Sequence, residues 1–136
     1  MRRTLVTAAA LTLGLSACGS APQSSSDRFS GEQQNVAKVV DELATAGRTG
    51  DAKRICSDIL AKQLVAELKT AGGDCVTEMD RAIDDASDYD LQVRSVKVNG
   101  STATAQVRQG KAGKVATFMF VKEGGGWRAS ALGTGA

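Results

Sequence analysis

Between residues 30 and 85 the apolar positions recur at helical spacing. Val36, Val39, Val40 and Leu43 stand at i, i+3, i+4 and i+7, so a helix here turns one stripe toward a core. Ser30 is placed to cap it with Gln33 at the capping-box position, and the Gly47 to Gly50 region ends it. Asp51 is suited to cap a second, short helix through Ile55 and Cys56, and Ile59, Leu60, Leu64, Val65 and Leu68 carry a helical stripe on to Gly72-Gly73. Asp74 then caps another helix, with Val76, Met79, Ala82 and Ile83 inward.

After residue 90 the period changes to two. Leu91, Val93, Val96 and Val98 lead into Asn99-Gly100, a strong hairpin signal, and the chain returns through Ala103, Ala105 and Val107. Leu91 and Val93 are out of phase with Val96 and Val98, so one extra residue near Arg94-Ser95 is needed to bring all four onto one face. This predicts a β-bulge there and a sheet bent around the helices. A third strand, about Lys114 to Lys122, carries Val115, Phe118 and Phe120, and Gly124-Gly125-Gly126 turns into a last strand holding Trp127, Ala129 and Ala131. Helices followed by an antiparallel meander define an α+β fold.

The N-terminus has a different pattern. Arg2 and Arg3 precede an apolar stretch from Leu5 to Leu15 and then Leu15-Ser16-Ala17-Cys18, which resembles the lipobox of bacterial lipoproteins. A stretch of about 11 residues makes roughly 17 Å of helix, against a hydrocarbon core of roughly 30 Å, so it is an export signal and not a span. The resemblance implies that residues 1–17 are removed, that Cys18 takes a diacylglycerol, and that two or more acyl chains hold the protein on the extracytoplasmic side of the cell membrane. The residues from Gly19 to about Arg28 are rich in Ser, Gly and Gln and read as a flexible tether (18–28), with the folded domain occupying 29–136.

Composition narrows the choices. The chain has 17 basic and 15 acidic residues, and the export signal holds two of the basic ones, so the mature domain is balanced and has no bulk attraction for nucleic acid. Aromatic residues make up 4%, too few for stacking platforms. With Cys18 acylated, Cys56 and Cys75 remain as a pair in an oxidising compartment, and a disulfide is expected; the alternative is two buried free thiols.

The order of helices then meander, the segment Gly50-Asp51-Ala52-Lys53-Arg54-Ile55-Cys56, the second Cys75 and the ending Val121-Lys122-Glu123-Gly124-Gly125-Gly126-Trp127-Arg128 resemble small actinobacterial lipoproteins with a nuclear transport factor 2-like, cystatin-like domain. The likeness covers roughly Phe29 to Leu132. It implies a cone whose sheet wraps a long helix and can leave an apolar pocket, for which Val40, Leu64, Val96, Phe118 and Phe120 are candidate lining residues. Some members are enzymes, including ketosteroid isomerase-like proteins, and others are binding or accessory modules, so fold alone does not choose.

The absence of histidine excludes a Ser-His-Asp triad and any His-ligated metal. Acid-base chemistry would fall to Tyr89 with Asp80 or Asp84, but no acid is placed inside an apolar strand face. The acidic run Asp80, Asp84, Asp85, Asp88 and Asp90 matches no EF-hand spacing and reads as a solvated turn, with weak calcium binding as the alternative. Gly124-Gly125-Gly126 is a hairpin and not a phosphate cradle, because no lysine-serine pair and helix follow it. Arg94, Lys97, Arg108, Lys111 and Lys114 read as a solubilising face, the alternative being contact with lipid headgroups or a cell-wall polyanion. Trp127 reads as a core plug. The expectation is therefore a non-enzymatic envelope module without cofactor or metal, which docks an envelope protein or carries a small apolar ligand in its cone.

Overall fold

A computed structural model describes residues 24–86, 88–111 and 113–135. The expected export signal, Cys18 and the first residues of the expected tether lie outside these. The described elements are helices α1 (Gly31–Thr49), α2 (Ala52–Arg54), α3 (Lys62–Thr70) and α4 (Cys75–Asp85), then strands β1 (Leu91–Asn99), β2 (Thr102–Gln109), β3 (Lys114–Glu123) and β4 (Gly126–Gly135). The strands form one antiparallel sheet in the order β1-β2-β3-β4, with the helices on one face: the expected α+β layout.

The core follows from the two periods. Val36 and Val40 of α1 are fully buried, Val39 and Leu43 pack beside them, and the inward positions of the sheet (Val93, Val96, Ala103, Ala105, Val107, Ala116, Phe118 and Phe120) close over them. Small alanines on β2 let α1 lie close to the sheet while Phe118 and Phe120 fill the space beyond. The register of β1 on β2 shifts between Val93 and Ser95, where the phase of the sequence requires it. Arg94 and Ser95 both turn out to solvent, and Val96 returns to the core.

α1 ends on Gly50, whose backbone is left-handed (φ 68°) and whose N–H returns to the carbonyls of Ala46 and Gly47. At its start the expected capping box does not form. Ser30 makes no side-chain cap, and the Gln33 amide instead donates to Val96 O across the fold (3.1 Å), because the free edge of β1 lies within its reach.

The continuous helical stripe expected from Ile59 to Leu68 is also corrected. α2 runs into a π-helical turn, Ile55–Ile59, after which Leu60 and Ala61 are extended, and α3 starts only at Lys62. The cause is the edge of β4: Leu60 bridges Ala129 in parallel and Ala61 N donates to Ala129 O at 2.7 Å, so a helix here would forfeit a strand-edge pairing. Along β4 the register slips opposite Met119 and Phe120. Trp127 and Ala129 face inward as expected, but the slip puts Leu132, not Ala131, against the core.

The packed unit also begins earlier than Phe29. Ser25–Arg28 form a single 3₁₀ turn with Ser25 and Ser26 buried. The Asp41 carboxylate accepts from the backbone N–H groups of Ser25 and Ser26, each at 3.0 Å. Val93 N donates to the Ser25 hydroxyl (3.1 Å) and Arg28 Nη2 donates to Val93 O (2.7 Å). These polar residues form a strap along the free edge of β1, satisfying backbone groups that the bulge would leave open.

Candidate functional site

A cavity of about 750 Å³ opens between α1, α4 and one end of the sheet. Its wall is built from Leu43 on α1, Ile55 on the π turn, Met79 and Ile83 on α4, and Leu91, Phe118 and Leu132 from the sheet. Asp85, Asp88, Tyr89, Gln109 and Lys111 supply the polar groups of the lining. Volume and chemistry fall in the range of small-molecule sites, which are largely apolar with a few polar groups.

The sequence placed the pocket elsewhere. Of the five candidate lining residues only Phe118 borders the cavity. Val40, Val96 and Phe120 are buried in the packed centre of the cone, and Leu64 on α3 packs against that core from outside. The space lies toward the end of the sheet because α4 is a thin wall: of its residues Cys75 alone is buried, while Ala82 is exposed and Met79 and Ile83 are half-buried.

Tyr89 closes one side. Its hydroxyl donates to the carbonyl of Ile83, so the ring bridges the segment before β1 to the end of α4. Gly47 makes room for that ring: a Cβ there would stand 2.9 Å from Tyr89 Cδ1, and the glycine in the last turn of α1 is explained by this close approach. The phenol proton is engaged by a carbonyl, and Asp80 and Asp84 are exposed on α4, outside the lining. The isomerase-like set is not assembled.

Asp88 belongs to the scaffold. Its carboxylate accepts from Asp90 N (2.9 Å) and Lys111 N (3.0 Å), and Gly110 N donates to Asp90 O (2.7 Å), so the β2–β3 turn is pinned to the segment before β1. The hydrogen bonds from Asp90 and then Lys111 hold its pKa below the ordinary value. Among the described residues no cluster of acids or cysteines has the arrangement to hold a metal ion, and the acidic run is spread over α4 and the turn after it.

Two covalent or polar ties hold the helical layer. Cys56 and Cys75 lie at bonding distance, with Cα atoms 6.1 Å apart, joining the π turn to the first residue of α4. Glu32, in the first turn of α1, accepts from Lys122 Nζ (2.7 Å) and Trp127 Nε1 (2.5 Å), and the Lys122 ammonium lies 5.4 Å from the indole centroid. Trp127 is 6% exposed, a core plug whose N–H finds a partner at the surface.

The hydrogen bonds from Lys122 and then Trp127 lower the Glu32 pKa from 4.5 to about 2. A depressed carboxylate stabilises the fold above its unfolded pKa and loses that contribution as pH falls through the folded one. Urea unfolding of the wild type and Glu32→Gln should therefore differ most above about pH 4.5 and converge as pH falls toward 2. A gap that does not change over that window contradicts the assignment.

Comparison of the chain with protein-family models, with curated proteins and with solved structures finds no match.

Proposed function

We propose that the protein is a membrane-tethered, extracytoplasmic binding module that holds a small apolar ligand in the cavity beneath α4. The observation that carries this reading is the apolar lining of a space of about 750 Å³, within the roughly 300–1,000 Å³ of ligand sites. Within the lining, Tyr89 is engaged by Ile83 O and Asp88 by backbone amides, which favours binding over turnover.

Anchoring through Cys18 is the second part of the proposal, supported by the lipobox-like Leu15-Ser16-Ala17-Cys18 and by the pairing of the other two cysteines. The likeness to nuclear transport factor 2-like lipoproteins fits a helix wrapped by a bent sheet, and enters only at that level.

Native mass spectrometry of the protein purified from its own envelope tests the ligand. A small molecule that copurifies, and leaves on unfolding, is the expected result. A bare chain that captures an envelope protein would replace this reading with one of protein docking.

A further inference from the structure

Among the described residues no helix packs on the outer face of the sheet, and its composition is one-sided. The outward positions are Gln92, Arg94, Ser95, Lys97 and Asn99 on β1, then Thr102, Thr104, Gln106 and Arg108 on β2. On β3 they are Val115, Thr117, Met119 and Val121. The same alternation brings in one acid, Glu123 at the end of β3, whose carboxylate accepts from Lys62 N at 3.1 Å; the other positions named carry none. Two of the chain's large apolar side chains, Val115 (43% exposed) and Met119 (44%), are open to solvent there. Register puts Arg108 beside Val115, and sets Lys97 and Met119 on either side of Thr104. Exposed apolar groups beside Arg94, Lys97 and Arg108 suit the interface of an anionic bilayer, where apolar tips enter between headgroups and cations meet phosphates.

Where the described chain begins gives this face its partner. The strap Ser25–Arg28 is bonded to Val93 N and O, one residue from Arg94 in the bulge. If Cys18 is acylated, five residues separate the anchor from Ser24, a reach of about 20 Å even when fully extended. A freely flexible tether through Arg28 would let the domain turn at random. The docked strap instead holds the edge of β1, with Arg94 and Lys97, on the membrane side. Attraction between charges fades over about 8–10 Å at physiological salt, so this edge is placed where the leaflet's field acts.

We propose that the outer face of the sheet, led by Arg94, Lys97, Arg108 and the exposed Val115 and Met119, docks on the anionic lipid surface that holds the anchor. This rests on the lipid-anchored part of the reading above and is independent of the ligand. Docking would leave the helical face, with the cavity beneath α4, turned away from the bilayer.

The test uses the lipidated chain in vesicles of phosphatidylcholine, with and without phosphatidylglycerol, labelled by a water-soluble amine-acetylating reagent and read by mass spectrometry. Lys97, exposed in the free domain, should label about fivefold more slowly on the anionic vesicles. Lys38 on α1 and Lys69 on α3 should label equally on both. High salt or Arg94→Glu, at an exposed bulge position, should restore the rate at Lys97. A chain that does not float with either vesicle overturns the anchor. A chain that floats with both but shows the same lysine rates overturns the docked face alone.

Discussion

Replacing Cys56 and Cys75 together by serine should lower the melting temperature by roughly 10–15 °C. The bridge closes a loop whose ends are 19 positions apart, and constraining such a loop in the unfolded chain is worth about 3 kcal/mol. In a domain of this size each kcal/mol moves the midpoint by about 4–5 °C. Little else secures the region: α3 buries no residue completely, and α4 buries only Cys75. The Asp74 carboxylate caps α4 through Thr77 N and Oγ1 at 3.2 Å, an exposed contact that holds the helix end but not its face. Losing the bridge should therefore also loosen the cavity wall, so that whatever apolar ligand the wild type binds is held more weakly. Circular dichroism melts with and without dithiothreitol, beside the double variant, check this. A midpoint that moves by less than about 2 °C would mean that packing alone holds α4.

The second large effect concerns the cavity itself. Ala82 borders it from an exposed position on α4, so Ala82→Trp places an indole in the mouth without disturbing the packed centre. A side chain of that size occupies much of the volume a ligand would use, and binding should weaken at least about tenfold, or 1.4 kcal/mol. The melting temperature should stay within about 2 °C of the wild type, because surface positions rarely contribute more than about 0.5 kcal/mol.

The sequence revealed the sheet more fully than the site. Strand phase is a local property, and the mismatch between Leu91-Val93 and Val96-Val98 was enough to locate the bulge at Arg94. The segment from Ile55 to Ala61 was not legible in the same way. Leu60 and Ala61 fit a helical stripe as well as an extended one, and only the edge of β4, near residue 129, decides between them. The strap was hidden for a similar reason. Ser-Ser-Ser-Asp-Arg has the composition of a linker, and it folds because Asp41 and Val93 supply partners far along the chain. The candidate lining failed because Val40, Val96 and Phe120 are the bulk that fills a core, whereas a void is marked by what is small. Gly47 on α1, with Ala82 and Ala86 at the end of α4, carried that signal.

Titration of the wild type and Ala82→Trp with a neutral apolar fluorophore such as Nile red tests the ligand site directly. The account predicts saturable binding at one site in the wild type, and at least about tenfold weaker binding in an equally stable variant. A wild type that binds no probe, or a variant that binds it as tightly, would show that the space beneath α4 holds no ligand.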